Sequence, residues 1–147
     1  MRVIARYNEG IRNTEGFVVQ KGEHLENKGR EASSYLWYII NFWDKLEGTY
    51  EFRQAKETEH RVGEFIHKCD QTGVPHHPRL PIKQIADMID LEIPEELHFT
   101  AGAQFDVTTE QIKQRSLDWY KNAFEVSMKE KEAPWVFERL WKYIFNL

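Results

Sequence analysis

The segment Asn27 to Glu31 combines residue types that together could bind an anion. Gly29 allows the backbone to approach a ligand closely, and Arg30 can form a bidentate contact with a diphosphate or a carboxylate. A helical pattern begins at Glu31, and the unpaired N–H groups at a helix start attract anions. The alternative is that Gly29 only turns the chain and that Arg30 pairs with a nearby acid, such as Glu31 or Glu51. The residues leave both interpretations open.

Glu138 is a candidate general base near the end of the chain. It follows Phe137, at the border of the apolar face of the last predicted helix. A carboxyl group in such a position is partly desolvated, which raises its pKa toward the range that suits proton transfer. The alternative is a surface residue that pairs with Arg139 or Lys142.

A third candidate group follows the first predicted strand. Arg6 could contact a phosphate, and Asn8 and Glu9 could hydrogen-bond a base or a ribose. Open α/β sheets bind their ligands at the carboxyl ends of the strands, where these residues are expected to lie. The alternative is an ordinary solvated turn.

No metal site is predicted. The spacing of the candidate ligands does not match a structural zinc pattern; these candidates are His60, His67, Cys69, His76 and His77. The sequence also lacks the Asp-x-Asp pair with which a metal-dependent nucleotide-sugar site normally holds its ion. Nucleophile-elbow, phosphate-loop and dinucleotide motifs are missing too, which disfavours serine hydrolases, P-loop NTPases and nicotinamide dehydrogenases.

The elements that must position these residues follow from hydrophobic periodicity. Strand patterns cover residues 3–5, 17–19, 49–52 and 97–107. Helical patterns cover residues 31–46, 58–69, 81–89 and 108–129, with a break near Ser116, and a final helix starts at Pro134. This alternation predicts an α/β fold in which helices pack on a sheet of about four strands. The 147 residues fit a single domain, 1–147.

The composition of the chain indicates which partners, which cell compartment and which kind of core to expect. The net charge of −4 comes from 20 basic and 24 acidic residues that are well mixed, so nucleic acid is not an expected partner. A lone cysteine, a first strand without a charged and apolar leader, and apolar helices too short to span a bilayer indicate a cytoplasmic protein. Aromatic residues make up 14% of the chain, and most of these rings are expected in the core rather than stacked on a sugar or a base.

Five segments in a fixed order resemble an uncharacterised domain family. They are Ala5 to Glu9, Gly29-Arg30-Glu31 with Tyr35-Leu36, Phe52 to Ala55 with His60, Gly102 to Phe105 with Val107, and Glu138 to Phe145. That family in turn is similar to glycosyltransferases of the GT-A fold, in particular to metal-independent branching enzymes. The resemblance therefore implies a minimal GT-A-like domain.

The resemblance also implies a function and roles for individual residues. The expected reaction moves a sugar from a nucleotide-sugar donor to a hydroxyl acceptor, a glycan or a small molecule, without a metal or another cofactor. Glu138 would deprotonate the acceptor. The donor and acceptor would be bound by Arg6, Asn8, Glu9, Gly29, Arg30, Gln54, His60 and Gln104. One alternative is an inactive nucleotide- or carbohydrate-binding domain of the same fold; another is an interaction protein in which Arg6, Arg30 and Glu138 do not converge.

Overall fold

A computed structural model of the chain describes residues 1–7, 15–55, 80–95, 97–99 and 103–147. The strands are β1 (Arg2–Arg6), β2 (Phe17–Gln20), β3 (Thr49–Gln54) and β4 (Phe105–Thr108). The helices are α1 (Arg30–Asn41), α2 (Ile82–Met88), α3 (Thr109–Lys113), α4 (Leu117–Lys129) and α5 (Ala133–Phe145). The predicted α/β class, with packed helices and four strands, is confirmed.

The strands form one open sheet in the order β2-β1-β3-β4. β1 pairs in parallel with both β2 and β3, whereas β3 and β4 are antiparallel. The carboxyl ends of the three parallel strands therefore lie at the same edge of the sheet, together with the beginning of β4. The chain reaches β3 from β2 through α1, so α1 runs back along the sheet and begins at that edge.

The core lies between one face of the sheet and the helices α1, α4 and α5. Alternate residues of the two central strands face it, and Val3 pairs with Phe52. Rings from two helices and two strands pack together there. The centroids of Tyr35 and Phe52 are 5.0 Å apart, and those of Phe105 and Trp141 are 5.2 Å apart. The expectation that the rings build the core holds for these four, which are all fully buried.

The opposite face of the sheet contains a buried charge, Arg53. Its Nη1 donates hydrogen bonds to the carbonyl oxygens of Phe52 and Phe105, each at 2.9 Å, and its Nη2 pairs with Asp106. Glu51 lies 3.8 Å from the same nitrogen and accepts a hydrogen bond from Arg2. These contacts compensate for part of the lost hydration of the guanidinium, whose buried Nε has no hydrogen-bond partner among the described residues.

Two predicted boundaries are wrong. The first helix ends at Asn41 rather than at Leu46, and a short 3-10 turn, Trp43–Lys45, follows it. The strand predicted from Leu97 begins only at Phe105. The backbone N–H of His98 instead donates a hydrogen bond to the hydroxyl of Tyr143, at 2.6 Å. This N–H group is therefore bonded to a side chain rather than to the backbone of a neighbouring strand.

The predicted break at Ser116 and the helix start at Thr108 are confirmed. Thr108 and Gln111 form a reciprocal capping box at the start of α3, and the Ser116 hydroxyl caps α4. The helix predicted over residues 58–69 lies outside the described residues. Within the described part of the chain, the helices are too short or too polar to cross a bilayer.

Candidate functional site

The strand order of the sheet reverses between the neighbouring strands β1 and β3. After β1 the chain continues to β2 on one side, and after β3 it continues to β4 on the other. In open α/β sheets, ligands bind at the carboxyl ends of the strands where such a reversal occurs. Arg6 is the last residue of β1, and Gln54 is the last residue of β3.

A cavity of about 180 Å³ lies at this edge of the sheet. Three parts of the chain line it: the first turn of α1, the end of β3 and the beginning of α5. The lining residues are Arg30, Glu31, Gln54, Pro134, Trp135 and Glu138. The structure thus brings together three of the residues predicted from the sequence, Arg30, Gln54 and Glu138. We refer to this space as the edge cavity.

Arg30 makes two contacts within the edge cavity. Its Nε lies 3.6 Å from a carboxylate oxygen of Glu31, and its guanidinium carbon lies 5.3 Å from the centre of the Trp135 ring. The pairing with Glu31 is the alternative that the sequence had left open. Arg30 remains more than half exposed, with 59% of its side chain accessible, so the pairing leaves guanidinium surface open to solvent.

Glu31 is a carboxyl group of the edge cavity whose pKa differs from its ordinary value. Only 13% of its side chain is exposed. Burial raises the pKa of Glu31; the hydrogen bond from its own backbone N–H and the charge of Arg30 lower this pKa, the charge of Glu138 raises it, and Lys21 lowers it. The prediction from the sequence had not included a raised pKa for Glu31.

The start of α1 is held by a buried lysine. Lys21, directly after β2, donates from Nζ to the carbonyl oxygen of Lys28 and to the hydroxyl of Ser33. The Ser33 hydroxyl in turn donates to the Lys28 carbonyl, at 2.6 Å. Gly29 and Arg30 then both adopt left-handed backbone angles, with φ of 71° and 46°. These contacts fix the turn that directs Arg30 and Glu31 into the edge cavity.

Two further predicted site residues, Gln104 and Arg6, are described by the structure and are not among the residues that line the edge cavity. Gln104 is fully buried, and its side-chain oxygen accepts a hydrogen bond from the backbone N–H of Gln54, at 3.3 Å. It therefore supports a residue of the cavity rather than lining it. Arg6 is half-buried at the end of β1 and is also not among the lining residues. Asn8, Glu9 and His60 lie outside the described residues.

Sequence reasoning missed Glu31 and Trp135 as cavity residues. Glu31 had been considered only as a partner of Arg30. Trp135 lies off the apolar face of α5, next to Pro134, and 40% of it is exposed. A tryptophan on the polar side of an otherwise amphipathic helix was the available signal. Trp135 and Glu138 are three positions apart, so they share a face of α5.

The described residues contain no group of three or more His, Cys, Asp or Glu side chains placed to hold a metal ion. The histidines and the cysteine weighed as zinc ligands all lie outside that part of the chain; they are His60, His67, Cys69, His76 and His77.

The fold and the cavity define a mixed α/β domain with a polar site at the carboxyl edge of an open sheet. Residues 82–147, a little under half of the chain, match the model of a family described as "Protein of unknown function (DUF3431)". The expected resemblance to an uncharacterised family is confirmed for this part of the chain, which contributes Pro134, Trp135 and Glu138 to the cavity. The chain matches no curated protein and no solved structure.

Proposed function

We propose that this protein transfers a sugar from a nucleotide-sugar donor to a hydroxyl acceptor without a bound metal ion, as a minimal GT-A-like domain. One observation carries the proposal: Arg30, Gln54 and Glu138, which are far apart in the sequence, line one cavity at the carboxyl edge of the sheet. A cavity at this position that contains a carboxylate, an arginine and a helix start has the components of a glycosyl-transfer site.

The chemistry assigns a separate task to each of two side chains. The carboxylate of Glu138 takes the proton of the acceptor hydroxyl, whose oxygen then bonds to the anomeric carbon of the donor. The bond between that carbon and the diphosphate oxygen breaks, and its electron pair leaves with the diphosphate. Arg30 and the N–H groups at the start of α1 stabilise the negative charge of the leaving group.

The size of the cavity suggests how a donor would lie. At about 180 Å³ the cavity is smaller than the ~300–1,000 Å³ of typical small-molecule sites. A single sugar ring therefore suits this space better than a whole nucleotide sugar. The nucleotide would extend along the edge of the sheet toward Arg6. Asn8 and Glu9 follow Arg6 closely in the sequence.

The test combines donor binding with turnover. Isothermal titration with UDP-sugars and GDP-sugars, with and without manganese, measures binding, and release of the free nucleotide diphosphate in the presence of hydroxyl acceptors measures turnover. Glu138→Gln should keep donor affinity within a few-fold and lower turnover by roughly 10²–10⁴-fold, because it removes the base and leaves the shape of the side chain.

The matched control is Glu125→Gln, which changes an exposed carboxylate on α4 that pairs with Lys129. It should retain the binding and the turnover of the wild type. Binding without turnover in the wild type would identify an inactive carbohydrate- or nucleotide-binding domain instead. If no donor binds under either condition, the proposal is wrong.

A further inference from the structure

One large aromatic side chain of the edge cavity keeps surface that is open to solvent. Trp135 is 40% exposed, whereas its neighbours in the sequence, Pro134 and Val136, are buried. Trp141, further along the same helix, is fully buried in the core. A ligand that covers the Trp135 ring would remove this apolar surface from water, which favours binding.

Contacts on several sides hold Trp135 in place before any ligand binds. The guanidinium of Arg30 lies over the ring, 5.3 Å from its centre. Arg139 donates a hydrogen bond to the backbone carbonyl oxygen of Trp135, at 2.8 Å. Pro134 precedes it in the first turn of α5 and restricts the backbone there. A side chain that is already ordered loses little conformational entropy when a ligand covers it.

The polar groups around Trp135 favour a ligand with several hydroxyl groups. Glu138 lies three positions further along α5, and Glu31 enters the cavity from α1, where it pairs with Arg30 at 3.6 Å. Ionised carboxylates only accept hydrogen bonds, a guanidinium only donates them, and the side-chain amide of Gln54 does both. Each hydroxyl of a sugar both donates and accepts. Because the hydroxyls surround the ring, one pyranose can reach polar groups on both helices and on β3.

The remaining surface of a pyranose matches the indole of Trp135. The C–H groups of the sugar form an apolar face, and their weakly positive hydrogens are attracted to the negative face of an aromatic ring. A nucleobase would also stack on Trp135. Its hydrogen-bonding groups lie only at the edges of a flat plane, however, so it would meet fewer of the polar groups that line the cavity.

We propose that Trp135 is the surface on which a hydroxylated sugar ring lies in the edge cavity, with its C–H face against the indole and its hydroxyls directed to Glu31, Glu138 and Gln54. This inference rests on the proposed function only in that the ring is taken to be the sugar of the donor. Trp135 is then a sugar-binding residue that fixes the plane of the ring.

The experiment follows the indole N–H signals of the five tryptophans of the full chain by two-dimensional NMR. The probes are the methyl β-glycosides of glucose and galactose and the methyl α-glycoside of mannose. We expect at least one of them to shift the Trp135 signal. The signal of Trp43 is the internal control, because its ring also lies under a cation, Lys113 at 3.6 Å, but does not line the cavity. Saturation transfer from the protein should be strongest for the ring C–H protons of the bound glycoside.

Two further ligands separate the two halves of the recognition. Sorbitol has the hydroxyls without the ring, and tetrahydropyran has the ring without the hydroxyls. Neither should shift the Trp135 signal at the concentration that half-saturates the protein with the glycoside. A shift by either ligand as large as that by the glycoside would contradict the combined recognition of face and hydroxyls.

Two variants test the contribution of the indole. Trp135→Ala should lower the affinity for the glycoside roughly tenfold or more, because the stacking surface is lost. Met88→Ala is the matched control: it removes an exposed apolar side chain of α2 that does not line the cavity, and it should retain the wild-type affinity.

The outcomes separate this inference from the proposed function. An unmoved Trp135 signal with every glycoside, or equal affinity of the wild type and Trp135→Ala, would overturn it. The first of these is measured on the wild type, so it decides the inference even if Trp135→Ala does not fold. A shift of the Trp135 signal by uridine or guanosine and by none of the glycosides would identify a base-stacking residue instead. If the glycosides bind at Trp135 and no nucleotide sugar is turned over, the role of Trp135 stands and the transferase function does not.

Discussion

At the scale of single residues, the burial of Lys21 changes the pH at which this side chain loses its proton. Only 8% of the residue is exposed, and its ammonium group donates to Lys28 and Ser33 at the start of α1. Burial lowers the pKa of Lys21 from its ordinary 10.5 to about 8, and the nearby charge of Glu31 opposes this change. The folded protein therefore releases this proton at a lower pH than the unfolded chain does.

The first stability prediction follows from that difference. Between about pH 8 and about pH 9.5 the unfolded chain holds the Lys21 proton and the folded chain loses it, so the free energy of unfolding should rise with pH. We expect a rise on the order of 1 kcal/mol in urea denaturation. The range stops below pH 10 because burial also raises the pKa of Tyr38, to about 12, which reverses the sign above that point.

The control for this prediction is Lys21→Met, which keeps the aliphatic chain and removes the titrating group. Its free energy of unfolding should lack the rise, whatever its absolute stability. A slope equal to that of the wild type would show that Lys21 does not titrate in this range.

At the scale of elements, the beginning of α1 positions half of the edge cavity. Gly29 has a φ of 71°, and a Cβ added to it would lie 2.7 Å from the carbonyl oxygen of Ser127 on α4. This glycine is therefore required both for its backbone conformation and for the close approach of two helices. Arg30 and Glu31 follow it directly, so a shift of this turn would also move them.

The element-scale prediction compares two glycines with the same backbone handedness. Gly22 has a φ of 83°, but a Cβ added there has no atom within 4 Å. Gly22→Ala should therefore cost only the left-handed strain, about 1 kcal/mol. Gly29→Ala should cost at least about 2 kcal/mol more, because α1 and α4 must separate. Urea denaturation of both variants measures the difference, and equal costs would contradict the close approach.

At the scale of the whole molecule, the region that matches the family pairs and packs with the first part of the chain. Residues 82–147 contain β4 and α5, but β4 pairs with β3, and the rings of Phe105 and Trp141 pack against Tyr35 of α1. Removing the first part of the chain would expose one edge of β4 and much of this aromatic core.

The whole-molecule prediction is that a polypeptide of residues 82–147 has no cooperative thermal transition by circular dichroism. The full chain under the same conditions should unfold cooperatively, because its apolar surfaces are covered. Co-expression with residues 1–81 should restore the transition. A cooperative transition of the isolated fragment would show that this region folds by itself.

The sequence by itself determined features that depend on neighbours a few positions apart. The apolar positions of α5, from Phe137 to Phe145, predicted the buried face of that helix, and Thr108 with Gln111 predicted the start of α3. Both follow from local rules, since a helix repeats every 3.6 residues and a capping box needs only one turn. The alternation of such patterns was sufficient for the α/β class.

Only the tertiary structure decided which residues meet. The hydroxyl of Tyr143 accepts the hydrogen bond from the backbone N–H of His98, which a strand partner would otherwise have accepted. Lys21 donates a hydrogen bond to the carbonyl oxygen of Lys28, just before α1. Likewise, Glu31 and Trp135 are separated by most of the chain, and no local pattern indicates that they line one cavity. Such encounters depend on how helices and sheet pack over long sequence distances, and burial changes the pKa of Glu31 only after that packing is complete.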